Sequence, residues 1–529
     1  MSATDTSIYE QERRAKLNKL RELDVDPYGN RVDGLQDLTT VKALYTPEMG
    51  HDGGPACTVS GRIVLKRDMG KLSFLTLRDD TGDLQVGIDR KRVDDRSWEI
   101  RNLLDLADRI VVHGKLGTTN KGETTIWADK VDIAAKSLLS PPAKYEGLTD
   151  VDQRYRQRYV DLWSNPEVMT LAQTRIKIVA AIRKFLDSRG FLEVETPMLQ
   201  TLHGGAAARP FVTHHNALDM RLFMRIAPEL FLKRLLVGGM PKVFEINRNF
   251  RNEGISPRHN PEFTMLEAYE AFGDCRTMAE LVEGMICHLA ESIIGTLTIE
   301  HPSGRTINLQ GDASKPVGQR WRRATMAELV EEKTGWKFDK TTIADHGHAL
   351  SNVLRLYDVD GVNALARRAA GLQLFGEEER QADKLAAFET HLCNLSPAEQ
   401  LQEVYEKLVE PNLVDPCFVL RVPSVIIPLA KKCEDDPFFA DVYELAINGQ
   451  EISPGYTELN DPDVQAENFR HQVGDKAEQQ QVDEDFLTAL KYGMPPAGGI
   501  GLGIDRLVMM LTGAPSIRDV ILFPLMRPE

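Results

Sequence analysis

Apolar residues return at two different periods along this chain, and each change of period marks a change of architecture. Between residues 8 and 24, Leu17, Leu20 and Leu23 recur at helical spacing among charged positions, which predicts an amphipathic helix. From 56 to 136 the period falls to two. The runs CTVSGRIVLKR, KLSFLTLRD, DLQVGID, RIVVHGKLG and TTIWADKVDIA alternate or are β-branched, with glycines or acidic turns between them. Five short strands with a helical stretch before the fourth predict a small Greek-key barrel of the OB type. SPPAKYEG (140–147) reads as a linker, and a helix over 170–190 stops at Arg189-Gly190 before the strand FLEVETPML. Strands and helices follow from 200 to 300. Polar segments rich in Ala, Glu and Arg from 311 to 435 predict an inserted helical subdomain, and strands resume near 439. The expected division is a helical extension over 1–55, a barrel over 56–140, a linker or hinge over 141–169, and an α+β domain over 170–529 that carries the insertion.

Three stretches concentrate polar residues where a strand period would place them on one face. In VFEINRNFRNEGISPRHNPEFTMLEAYEAF (243–272), two strand runs flank a loop holding Gly254, Pro257 and Pro261, which makes a long hairpin. Glu245, Asn247, Asn249 and Arg251 share one parity on the first run; Phe263, Glu267 and Tyr269 share one on the second. Such a face is either solvated or the floor of a site for a polar, anionic ligand. Arg251 has the fork that suits a carboxylate or phosphate, and Arg258 and His259 stand on the loop. In YELAINGQEISPGYTELND (443–461), Asn448-Gly449 signals a two-residue turn. Pairing 446 with 451 and 444 with 453 makes Glu444 and Glu451 diagonal neighbours that repel unless a cation bridges them. Oxygen ligands alone favour Mg²⁺ or Mn²⁺.

GGIGLGIDR (498–506) holds glycines at every second position, so it does not fit the dinucleotide frame G-x-G-x-x-G. It predicts a strand whose backbone lets something flat lie close, followed by a helix that Asp505 caps and Gly513 closes. Arg506 then sits in the first helical turn.

Composition narrows the setting. The 529 residues are 42% hydrophobic and 27% charged, as in ordinary globular chains. No apolar run approaches about 18 residues and the start is polar, so neither a membrane span nor a signal peptide is expected. Six cysteines without a C-x-x-C pair give no zinc or disulfide frame and suit a reducing cytoplasm. A net charge of -15 argues against a protein that coats nucleic acid generally. Yet GRIVLKRDMGKLSFLTLR (61–78) carries five basic residues and one acid, a local island able to bind RNA. Phe74 within it, and Gln85 on the next strand, serve equally as stacking and reading groups or as barrel packing. His346 and His348 form an H-x-H pair with no partner ligands nearby in the sequence.

These motifs together resemble the class II aminoacyl-tRNA synthetases, and among them the bacterial lysyl-tRNA synthetases. FLEVETPML is similar to the first class motif, FRNEG…RHNPEFTMLE to the second and GLGIDRLVMML to the third; YRQRYVDL, THHNALD, RIAPEL and IRDVILFP also resemble the family. The likeness covers 56–310 and 405–529. It implies an antiparallel catalytic sheet flanked by helices, an N-terminal OB domain that reads the anticodon of tRNA(Lys), and a homodimer. The substrates it implies are ATP, with Mg²⁺, and L-lysine. By the resemblance, Arg251 holds the α-phosphate and the substrate carboxylate, and Glu253 the adenine edge. Phe263 and Arg506 sandwich the adenine, and Arg258 and His259 take the outer phosphates. Glu444 and Glu451 match the metal ligands. Glu229 takes the α-ammonium, and Glu458 and Tyr269 the ε-ammonium, with Tyr456 and Glu267 beside them. On the barrel, Arg62, Phe74 and Gln85 are the anticodon candidates. Pro454 stands where the family usually has an asparagine, so one amide contact to the substrate is lost. A synthetase for aspartate or asparagine is the nearest alternative, which a carboxylate at Glu458 opposes; a non-catalytic RNA-binding relative is another, which the presence of Arg251, Glu451 and Arg506 opposes.

Overall fold

The period-two runs do form strands. In the structure, a computed structural model that describes residues 8–142, 147–206, 208–472 and 482–528, strands β1 Ala56–Met69, β2 Leu72–Arg78, β3 Asp83–Asp89, β4 Arg109–Thr118 and β5 Thr124–Ala135 close a barrel in the order β1-β2-β3-β5-β4. Alternation sends Val59, Ile63, Leu75, Leu77, Val86 and Ile88 into one core, and the helix Asp95–Leu103 precedes β4 as expected. The helix Ile8–Glu22 buries Leu17 and Leu20, whereas Leu23 falls just beyond its end and is exposed.

The stretch 141–169 is more ordered than a linker. It carries the helices Val151–Arg156 and Arg158–Ser164. There the buried Asp161 accepts hydrogen bonds from Arg154 at 2.9 Å, Arg158 at 2.6 Å and Asn165 at 2.7 Å. A buried carboxylate needs such partners, and they lock the segment together. Residues 143–146 of SPPAKYEG lie outside the described residues. Two compact units result, one reaching to Gln173 and the other spanning Thr174–Arg527.

The second unit is built on an eight-stranded sheet. Its strands are β6 Leu192–Glu193, β7 Lys242–Phe250, β8 Glu262–Ala271, β9 Arg322–Thr325, β10 Cys417–Leu420, β11 Val442–Ile447, β12 Gln450–Thr457 and β13 Ala497–Gly503. They lie in the order β9-β10-β11-β12-β13-β8-β7-β6. The middle is antiparallel, but β6 pairs with β7 and β9 with β10 in parallel. The sheet is thus antiparallel, as expected, with one parallel pair at each edge. This order narrows the insertion, because β9 and β10 belong to the sheet. The helical part of 311–435, between Met326 and Asn412, is the crossover that this parallel pair requires. Its apolar side chains, Leu329, Trp336, Val353, Leu385 and Leu401, share a core with Val419 and Val422 at the sheet. His346 bonds to Asp339 and Thr341 on the surface.

Candidate active site

The pleat of β8 organises the site. Phe263, Met265, Glu267 and Tyr269 point to one face, and register pairs them with Asn249, Asn247, Glu245 and Val243 of β7. On the other side the same residues from Met265 onward face Gly503, Gly501 and Gly499 of β13. The glycine row therefore lies on the site face. A Cβ at Gly499 would come within 2.0 Å of Glu458 Oε1 and 2.6 Å of the Tyr269 ring; at Gly501 the nearest atom is Met265 Cε at 3.1 Å. These glycines clear room for neighbouring side chains as well as for anything lying on the strand.

Asn448 and Gly449 both adopt positive φ, 53° and 74°, as the two-residue turn demands. The hairpin beyond them is not regular. Ala446 pairs with Glu451, but Leu445 pairs with Ser453 and Glu444 with Pro454, so Ile452 is an extra residue. The expected pairing of 444 with 453 is thus corrected by a β-bulge. Its consequence is large, since one inserted residue exchanges the faces of everything beyond it. Glu451 would otherwise share a face with Ser453, Gly455 and Thr457. With the bulge, it joins Pro454, Tyr456 and Glu458, and these four line one cavity of about 390 Å³ together with Glu229, Arg251 and Arg506. The cavity is also bounded by Glu253, Arg258, His259, Phe263, Glu267 and Tyr269, so every expected nucleotide and amino-acid residue borders it.

Anionic and cationic groups meet in the cavity, with the Glu451 carboxylate 3.9 Å from Arg506. At one end Arg506 donates to the Glu451 carbonyl at 2.9 Å and stands 3.2 Å from His259 Nε2, and Arg258 donates to the Gly449 carbonyl at 3.2 Å. Burial and then Arg506 hold the His259 imidazole below its ordinary range. The Arg251 guanidinium lies 5.1 Å over the Phe263 ring, and its buried Nε has no partner. Asn247 and Asn249 likewise keep buried amide atoms unpartnered. Polar groups buried this way need acceptors and donors supplied from outside the protein. Glu245 has no such freedom, because Arg225 at 2.6 Å and Thr196 at 2.6 Å occupy its oxygens. That pair ties β7 to the 194–198 segment, so Glu245 is structural.

At the other end lies a buried ionic trio. Lys233 sits one turn beyond Glu229 on the helix Glu229–Val237, donates to it at 2.6 Å and to the Leu429 carbonyl at 3.3 Å, and pairs with Glu458. Burial works against the Lys233 charge, but Glu229 and Glu458 outweigh it and hold the ammonium protonated. Two carboxylates on one cation leave a negative charge unmet. Accordingly burial raises Glu458 to about 7, with Lys233 opposing and Glu229 adding to the rise. Burial, then Glu229, raises Glu267 to about 8, although Tyr269 donates to it at 3.1 Å.

Glu444 and Glu451 share a face as expected. Burial pushes Glu444 well above the usual carboxylate range, and Glu451, Glu410 and Glu406 add to the shift. Glu410 accepts from the Glu451 backbone N–H at 2.6 Å. Among the described residues no three His, Cys, Asp or Glu side chains converge closely enough to hold a metal unaided. A carboxylate pair of this kind fits a hydrated Mg²⁺ that takes its remaining oxygens from a polyphosphate.

A profile of the family described as tRNA synthetases class II (D, K and N) matches residues 150–527, and one described as an OB-fold nucleic acid binding domain matches 57–134. The chain is 45% identical to the lysine–tRNA ligase of Carboxydothermus hydrogenoformans over 98% of its own length and 97% of the relative's. It is 42% identical to that of Bacillus subtilis, over 98% and 97%. The chain belongs to the class II tRNA synthetases, in the lysine–tRNA ligase family.

The OB unit of this synthetase sorts its candidates differently from the sequence. Arg67, not Arg62, stands opposite Phe74 in register and donates to Gln85 Oε1 at 3.1 Å. Phe74 in turn meets Trp127 edge-on at 5.9 Å, and Trp127 packs on His51. Arg62 is five residues back along β1, bonded to the Ala107 carbonyl at 2.8 Å and stacked on Trp163. Gln85 is buried and also donates to Thr125, so it is partly committed to packing. Asp505 is not a helix cap either. It anchors the helix Ile504–Thr512 by accepting from the Thr264 N–H at 2.7 Å and Arg175 at 2.5 Å, while Gly513 closes that helix at φ 74° as expected. Neither Lys233 nor Glu410 is singled out by the sequence, and Arg67 is marked there only as one of the basic residues of 61–78. Lys233 does leave a signal, the i,i+4 spacing from Glu229.

Proposed function

We propose that this synthetase activates L-lysine with ATP and transfers it to tRNA(Lys). The observation that carries the choice of amino acid is the Glu229–Lys233–Glu458 trio, with its one unmet negative charge in a closed end of the cavity. A cationic side chain neutralises it, whereas an aspartate or asparagine side chain leaves a buried charge uncompensated. In this reading Glu458 and Tyr269 receive the ε-ammonium, Glu229 the α-ammonium, and Tyr456 and Glu267 complete the wall.

A lysine carboxylate oxygen attacks the α-phosphorus, the bond to pyrophosphate breaks, and the terminal ribose hydroxyl of the tRNA later attacks the acyl carbon, releasing AMP. Arg251 offsets the charge of the carboxylate and α-phosphate. Arg258 and His259 hold the outer phosphates, and Glu253 contacts the adenine edge. Because Arg251 covers one face of Phe263, the adenine stacks on the ring's other face, against Arg506. Glu444 and Glu451 would hold Mg²⁺, which would supply charge neutralisation to the phosphates. No side chain is needed as a general base, so acceleration rests on orientation and electrostatics. On the barrel, Arg67, Phe74 and Gln85 form the anticodon surface, with Phe74 as the stacking platform. The homodimer is part of the same reading, and the exposed Ile176, Leu192, Met198, Leu199 and Val212 are apolar surface that a second copy would cover. The test is ATP–pyrophosphate exchange with each of the twenty amino acids. Exchange should depend on lysine, and a stronger response to aspartate or asparagine would refute the assignment.

A further inference from the structure

Lys233 is fully buried, as is Glu458 beside it, and it bridges two carboxylates that the lysine reading gives to opposite ends of the substrate. The groups around Glu458 and Lys233 come from five places. The helix Glu229–Val237 brings Lys233 and Glu229, β8 brings Tyr269 and Glu267, and β12 brings Tyr456. The segment at Leu429 contributes a carbonyl to Lys233, and β13 contributes only the bare backbone of Gly499. Among the described residues Lys233 is the cation that pairs with Glu458, while Arg251 acts on Glu267. We propose that Lys233 is a positioning residue that sets the charge of the amino-acid pocket: it fixes Glu229 and Glu458 at a set spacing and leaves a single negative charge for the substrate side chain. The proposal rests on the lysine reading and deepens it. Without Lys233 the carboxylates would repel, and one would take up a proton near neutral pH instead of an ammonium. With it, Glu458 keeps enough anionic character to pair with an incoming ε-ammonium.

The sign of the pH effect follows. In the wild type, KM for lysine should fall as pH rises through about 7, where Glu458 loses its proton. Lys233→Met removes the cation at similar volume, so this midpoint should move upward by about one unit or more and KM at neutral pH should rise about tenfold. KM for ATP should stay within about twofold, since the trio lies at the far end of the cavity from Arg506. Glu229→Gln removes one of the two carboxylates that share Lys233, so Glu458 gains an undivided partner and its midpoint should move down. A residue that merely fills space would move neither midpoint. The experiment is pyrophosphate exchange between pH 6 and 8.5 on the full-length enzyme and both variants, with thermal melts alongside. Opposite midpoint shifts support the proposal. A folded Lys233→Met enzyme with an unmoved midpoint overturns it. If that variant does not fold, a Glu229→Gln midpoint that fails to fall overturns it instead. A wild-type enzyme that does not respond to lysine would sink the functional reading itself, which separates the two failures.

Discussion

Gly499→Ala is a one-methyl change whose effect can be worked out from the geometry of the cavity. The residue sits on β13 opposite Tyr269 and Tyr456, with Glu458 reaching across its Cα. A methyl group there would lie 2.0 Å from Glu458 Oε1 and 2.6 and 2.7 Å from two carbons of the Tyr269 ring, well inside van der Waals contact. The Tyr269 ring is 4% exposed, and register holds its strand between β7 and β13, so it has little room to retreat. Glu458 must therefore turn away, and doing so strains its pairing with Lys233. Overpacking of this kind costs about 1–3 kcal/mol, which at about 1.36 kcal/mol per decade predicts a loss of roughly 5- to 150-fold in kcat/KM for lysine. The nucleotide end should be spared, because Gly501 and Gly503 separate Gly499 from Arg506. Pyrophosphate exchange against lysine and against ATP, with a melting curve to account for global destabilisation, measures each part. Retention of lysine kcat/KM within about twofold would refute the claim that this glycine makes room for the lysine-binding carboxylate. An equal rise in both KM values would show instead that the strain spreads through the sheet.

Glu451→Gln removes half of the proposed metal pair; the Mg²⁺ concentration needed for half-maximal exchange should rise several-fold, and an unchanged Mg²⁺ titration would dismiss the site. Arg67→Ala should raise KM for tRNA(Lys) in aminoacylation while leaving pyrophosphate exchange unaltered, and Arg62→Ala should act chiefly on the melting temperature; the reverse pattern would restore Arg62 as the anticodon contact. Glu267, raised from 4.5 to about 8 in the fold, is protonated there over a pH range in which the unfolded chain has released that proton. The native state thus binds more protons than the unfolded one, and this residue makes stability fall as pH climbs from about 4.5 to about 8. Glu267→Gln should flatten that decline in thermal melts taken across the interval, and an undiminished slope would assign it to other groups.

The barrel, the β7–β8 hairpin, the Asn448-Gly449 turn and the alternating glycines were all legible in the sequence, because each rests on a local rule. Side chains alternate along a strand, and two residues in left-handed conformation close a hairpin. Parity also places Phe263, Glu267 and Tyr269 on one face, whereas Glu229, Glu253 and Glu458 were named through the family resemblance. Resemblance supplied the roles, which local rules do not contain. The helices of 151–164 and the sheet strands β9 and β10 carry no such local signature, because their place depends on packing against the rest of the fold.

Three features were decided only in the folded molecule. The bulge at Ile452 leaves no mark in an alternation pattern. Yet that one extra residue puts Glu451 on the face of Tyr456 and Glu458, so that all three line one cavity. Arg67 and Arg62 are equivalent in a list of basic residues. They differ because β1 pairs Arg67 with Phe74 while Arg62 is spent on Ala107 and Trp163. Lys233 and Glu458 are distant in sequence and meet because the helix Glu229–Val237 packs near the end of β12. The charge they share belongs to neither residue alone. Periodicity records which way a side chain points from its own backbone; what it meets there depends on register and on packing between elements, which short-range sequence pattern does not encode.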